Sequence, residues 1–149
     1  MLMKRTALAI VLITVVVVSV VTLLIHNHIS ELEKHIQIAK SVRIVDFSSP
    51  GWWNPVGVWV MADFNVTIMN SCIYDAEQVI VEIRGLDFEE DPSNVTRSIG
   101  TLHAGEILSI QDTLNFGFNE FAEGSQCLVA TLKVGNDTVD SRVIYLQQY

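Results

Sequence analysis

The chain is poor in cations, with nine Lys and Arg against seventeen Asp and Glu in 149 residues, a net charge of −8. Nucleic acids and anionic lipid surfaces are bound through clustered Lys and Arg, so neither is an expected partner. Cysteine is scarce: Cys72 and Cys127 are the whole complement, too few for a disulfide-dense scaffold. Half of the residues are hydrophobic, enough to build a core without such staples. Glycine is also sparse, and no G-x-S-x-G, P-loop or Rossmann pattern occurs. Serines are present, but none has the His and Asp context of a nucleophile. No cofactor and no catalytic residue is expected, and the chain does not read as an enzyme.

Charge is missing altogether from residues 6–25 (TALAIVLITVVVVSVVTLLI). Roughly 20 apolar residues in a helix cross the hydrocarbon core of a bilayer. Lys4 and Arg5 directly precede the run, and every Asp and Glu lies beyond it, where the net charge is −10. Basic flanks stay in the cytoplasm. The expectation is a cytoplasmic tip at 1–5, a transmembrane helix at 6–25 and everything after it outside the cytoplasm, in a single-pass protein of the cell membrane. The run exceeds the usual signal-peptide core, and residues 26–29 (HNHI) make a poor cleavage site. An uncleaved anchor is therefore expected.

Residues 26–41 read as a helical stalk. Ile25, Ile29, Leu32, Ile36 and Ala39 are spaced 4, 3, 4, 3, which places them on one helical stripe. Two readings stand: a short seam that weakly pairs two copies, or a helix packed on its own domain. Ser30 with Glu33 has the form of a capping box, predicting that the helix restarts there after a bend at residues 26–29.

From residue 42 the period becomes two. The clearest stretch is residues 56–68, where every even position from Val56 to Ile68 is apolar while Asp63, Asn65 and Thr67 alternate with them. This predicts a half-buried antiparallel strand with a bend or bulge. Further strands are expected at 42–47, 79–83, 97–102, 108–116, 126–134 and 139–146. About seven short strands with turn signals and no intervening helix is the pattern of an immunoglobulin-like β-sandwich, assigned to residues 42–149.

The order N-V-T-I-x-N (from Asn65), Y-D-A-E-x-V-x-V-E-I (from Tyr74), I-G-T-L-x-A-G-E (from Ile99) and L-V-A-T-L (from Leu128) resembles CARDB-type domains. These are immunoglobulin-like sandwiches of bacterial and archaeal surface proteins. The resemblance implies a fold and a surface location, and no catalytic residue. An antibody-type domain is excluded more firmly, since no Trp lies between Cys72 and Cys127.

Metal sites fare poorly. His26, His28, His35 and His103 include no pair at the i, i+4 spacing of a zinc helix. Asp87, Glu89, Glu90 and Asp91 lack the Asp/Asn alternation and glycine of a calcium loop and read as a solvated acidic loop. No metal is expected.

In an up-and-down sandwich the second and sixth strands run parallel, which puts Cys72 and Cys127 at opposite ends. A disulfide needs Cα atoms within about 7 Å, whereas a strand spans about 17–20 Å. Two cysteines without a bridge are thus favoured over a bridged pair. Sequons occur at Asn65, Asn94 and Asn136. Asn94 and Asn136 fall in expected loops and are the candidate glycosylation sites.

Trp52, Trp53 and Trp59 cluster with Pro50, Gly51 and Pro55. They are either the end-plug of a sandwich core or a candidate interaction patch. The expected role is a non-catalytic, membrane-anchored module that contacts a protein partner or the cell envelope. The alternative is a pilin-like or archaellum-type filament or stator subunit, in which an N-terminal apolar helix also runs into an immunoglobulin-like domain. Against it, prepilin processing usually needs a small residue before the cut, and here Lys4-Arg5 leads straight into Thr6.

Overall fold

The computed structural model describes residues 2–53, 59–86, 94–118 and 127–147. The chain divides into two compact units, Met1–Ile36 and Gln37–Tyr149.

One α-helix, α1, runs from Leu2 to Ser41. It contains no glycine or proline, so nothing removes a rung of its hydrogen-bond ladder. The expected bend at residues 26–29 is absent, and Ser30 lies inside the helix rather than at its start. A capping box stabilises a helix end only where the preceding turn is missing; here the apolar helix arrives already formed. Within α1, Val11–Ser41 is long and apolar enough to cross a membrane, and none of its most apolar stretch is buried. The stripe residues Ile25, Ile29, Leu32 and Ile36 are exposed. Ile38, off that stripe, belongs to the second unit and joins its core.

Seven antiparallel strands follow among the described residues: β1 (Val42–Trp53), β2 (Trp59–Asn70), β3 (Ala76–Leu86), β4 (Asn94–Leu102), β5 (Ile107–Phe118), β6 (Cys127–Val134) and β7 (Asp137–Tyr145). They form two sheets, ordered β1-β2-β5 and β4-β3-β6-β7. The all-β sandwich expected from the period-two pattern is therefore present. The strands do not run simply up and down, because the chain changes sheet after β2, β4 and β5. Strand β6 nonetheless runs parallel to β2, since β3 turns back from the end of β2 and β6 is antiparallel to β3.

Period two explains the core. In β2, Ala62, Phe64, Val66 and Ile68 are buried while Met61, Asp63, Asn65, Thr67 and Met69 are only half exposed, because β2 has a neighbour on each side. Val79, Val81 and Ile83 of β3 and Leu128, Ala130 and Leu132 of β6 supply the other sheet's inner face. Each large side chain buried this way contributes about 1.5–3 kcal/mol before entropy is counted.

Strand β1 continues to Trp53, beyond the expected end at residue 47. Ser48-Ser49-Pro50-Gly51 has turn composition, but β1 is an edge strand, where a bulge and a proline are tolerated. Register shifts fall between Ile44 and Asp46 and between Ser48 and Gly51. The bulge expected within β2 is not in that strand: the extra residue lies on a partner each time, on β5 between Asn115 and Phe118 and twice on β1. Residues 54–58, the acidic loop with Asp87, Glu89, Glu90 and Asp91, and Gln126 lie outside the described residues.

Polar ties close both flanks of the sandwich. Arg97 of β4 pairs with Asp112 of β5. On the opposite flank the Ile44 amide donates to Asp140 Oδ2 of β7 at 2.8 Å, and the Trp52 amide donates to the Gln147 carbonyl at 2.9 Å. At the end where β2 finishes, Asn70 is wholly buried. Its Nδ2 donates to the carbonyls of Tyr74 (2.9 Å) and Leu102 (3.0 Å), and its Oδ1 accepts the Cys72 amide at 3.0 Å. Tyr74 and Leu102 flank the start of β3 and the end of β4, so one side chain ties the β2–β3 connection to the β4–β5 turn.

Candidate functional site

Trp52 is half buried and packs against the core. The backbone of Trp53 pairs with Met61 and that of Trp59 with Phe118; their side chains lie outside the described residues. Asn94 opens β4 opposite Arg84, and Asn136 sits in the β6–β7 hairpin; both are exposed. That hairpin has a two-residue loop, with Gly135 supplying the positive φ (60°) that such a connection demands. Asn65 differs from these two, being half buried on a central strand.

His26, His28 and His35 are exposed on α1. His103, between β4 and β5, is exposed and lies 3.1 Å from Asp75 through Nδ1. Its amide donates to Glu106 at 2.7 Å, while the Ala104 amide donates to Asp75 at 2.9 Å. Gly105, at φ 76°, completes this turn. The cluster orders a loop. Among the described residues no three His, Cys, Asp or Glu come together as metal ligands.

A concave feature among the described residues lies on the outer face of the three-stranded sheet, beside the β1 bulge. Where β1 departs from regular pairing, the Ser49 hydroxyl donates to the Asp63 carbonyl at 2.5 Å and accepts the Gly51 amide at 3.1 Å. A side chain thus replaces part of the backbone ladder, and a groove of about 550 Å³ results. Its walls are Ser48-Ser49-Pro50 and Gln111-Asp112-Thr113, and its floor is Asp63-Phe64-Asn65.

Register aligns these groups. Asp63 is opposite Thr113, and Asn65 is opposite Gln111 and Ser48. The Thr113 hydroxyl donates to Asp63 Oδ1 at 2.5 Å. Both oxygens of Asp112 are engaged, by Arg97 and by the Thr113 amide at 2.9 Å. Asn65 Oδ1 is buried and has no hydrogen-bond partner among the described residues. A buried acceptor left unmatched costs about 1–3 kcal/mol and needs a reason. The groove holds hydroxyls, amides and carboxylates but no histidine, cysteine or lysine, a set suited to hydrogen-bonded recognition. Sequence reading did not single out Ser48, Asp63, Gln111 or Thr113. Their only signal was polarity at outward positions of β1, β2 and β5.

No protein-family model and no curated protein matches the sequence. Among solved structures, the chain is similar to part of a presumed β-galactosidase from Bacteroides fragilis, at 15% identity and TM-score 0.59, over 71% of this chain and 17% of that protein. A β-glucuronidase from glycoside hydrolase family 2 gives 10% identity and TM-score 0.58, over 72% of this chain and 13% of the enzyme. The C-terminal domain of wzt gives 18% identity and TM-score 0.50, over 73% of this chain and 74% of that domain. At these identities the likeness is one of fold. The chain spans only a small fraction of the two glycosidases.

Proposed function

We propose that this chain is a single-pass membrane protein displaying a non-catalytic, immunoglobulin-like recognition module outside the cytoplasm, of the surface-domain kind represented by CARDB. The observation that carries the reading is α1. Its apolar face is unburied in the folded chain, which is untenable in water over such a length and natural in a bilayer. The −10 charge beyond residue 25, against Lys4 and Arg5 before it, supports an N-terminus inside and a sandwich outside. A groove with no nucleophile–base pair fits contact with a protein or envelope component better than catalysis. The test is protease added to intact cells: loss of the sandwich with retention of a membrane-embedded N-terminal fragment is expected. Full protection would refute the topology.

One observation favours a second reading. The helix passes without a break from the apolar run into the stalk, as in a pilin-like filament subunit. Sequencing the mature N-terminus separates the two: an intact Met1–Thr6 region supports the anchor, and removal of the first five or six residues supports the filament.

A further inference from the structure

We propose that the groove at the β1 bulge binds an uncharged, hydroxyl-rich ligand, a pyranose unit of a glycan. Three of its groups have unspent hydrogen-bonding capacity among the described residues. Asp63 uses Oδ1 for Thr113, leaving Oδ2 as an acceptor. Asn65 leaves its buried Oδ1 unmatched, and Gln111 is exposed opposite it. A modest turn of the Asn65 amide about its last torsion, which is broad and soft, presents it to the groove.

The spacing suits a sugar ring. Asp63 and Asn65 are two residues apart on one strand face, about 7 Å, and Gln111 lies across the ladder at about 5 Å. Each sugar hydroxyl both donates and accepts. A carboxylate oxygen accepts, an amide does both, and the Thr113 and Ser48 hydroxyls, which donate to Asp63 Oδ1 and Asp46 Oδ2, can still accept. The groove also has the volume of a small-ligand site.

Other ligand classes fit less well. An anion would face Asp63 and Asp112, and Arg97, the cation beside Asp112 among the described residues, is already paired with it. A divalent cation would find a single carboxylate oxygen uncommitted, where several are normally required. The proposal rests on the reading of the sandwich as a recognition module, but not on its membrane topology.

The test uses the full chain in phosphocholine micelles, since glycoside detergents would compete. Saturation-transfer NMR with methyl glucoside, galactoside, mannoside and N-acetylglucosamine, and with glucuronate as the charged control, should show transfer to at least one neutral pyranoside. Gln111→Ala, which removes an exposed side chain, and Asp63→Ala should weaken that signal at least tenfold. Lys133→Ala on the other sheet should leave it unchanged. A second arm asks whether the ligand is a free sugar or an envelope glycan: co-sedimentation with isolated envelope polysaccharide, reversed by the same pyranoside, identifies the polymer. Without co-sedimentation, the free sugar is the ligand. Transfer to no pyranoside, transfer to glucuronate alone, or transfer indifferent to Gln111→Ala would overturn the proposal. Such a failure with the sandwich still protease-sensitive on intact cells would leave the topology standing.

Discussion

Asp140 Oδ2 on β7 accepts a 2.8 Å hydrogen bond from the amide of Ile44 on β1, joining the edges of the two sheets across 96 residues of sequence. Both strands are irregular at this point. The β1 register shifts between Ile44 and Asp46, and the β6–β7 register shifts beside Asp140, between Leu132 and Lys133. An edge strand turns alternate amides away from its sheet, where they need water or another acceptor. The carboxylate supplies one and ties down this flank together with the Trp52–Gln147 backbone bond.

Asp140→Ala should therefore lower stability by about 1–3 kcal/mol, the cost of orphaning a part-buried donor. For a domain of this size that is a fall of several degrees or more in Tm, measured by thermal unfolding of the full chain in detergent. Asp140→Asn keeps an acceptor and should recover part of the loss. An unchanged Tm in the alanine variant would show the contact to be incidental.

Asn70→Ala should be among the most damaging polar-to-small changes. It strands the Cys72 amide and the carbonyls of Tyr74 and Leu102, and Asn70 is 0% exposed, so water cannot readily replace the lost bonds. A loss of about 3 kcal/mol or more is expected. Asn70→Asp should fare no better, because a carboxylate would face two carbonyl oxygens. Retention of wild-type Tm by either variant would mean that the two connections are held by other contacts.

Val66 and Asn65 test the register of β2 directly. Val66 is 0% exposed between the sheets, whereas Asn65 faces outward. Val66→Asp places an unpaired charge in the core and should unfold the domain, at a cost of several kcal/mol. Asn65→Asp should have a much smaller effect. Circular dichroism at matched temperature reads both, and equal losses would disprove the alternation.

How far the sequence could be read depended on whether each feature was local. The β2 alternation was legible because a two-residue period survives in any window, and it placed Ala62, Phe64, Val66 and Ile68 inside. The unbroken α1 was misread at Ser30, since a capping box specifies a helix start only when the preceding residues are not already helical. The extension of β1 through Ser48-Ser49-Pro50-Gly51 was hidden behind turn composition, which an edge bulge accommodates. That Asn70 is a buried pin was not legible, because its partners Tyr74 and Leu102 come together only in three dimensions. The groove was invisible for the same reason: residues 48–50, 63–65 and 111–113 meet through strand pairing alone.

The same topology decides the cysteines. Cys72 lies just before Ala76, the first residue of β3, while Cys127 pairs with Leu86, the last. The eleven residues of β3 span about 30 Å at roughly 3.3 Å per residue, several times the Cα separation a disulfide allows. The structure contains no bridge between them, and both side chains are buried, at 8% and 5% exposure. Reduction should leave the Tm unchanged. A thiol probe should label the native, non-reduced protein slowly and label both positions once it is unfolded, with mass spectrometry counting two adducts. A bridge enclosing so long a loop would contribute about 4–5 kcal/mol by the chain-entropy estimate, so reduction would lower the Tm markedly. An intramolecular disulfide in native material would therefore require a different strand order, and the β3–β6 register with it would have to be abandoned.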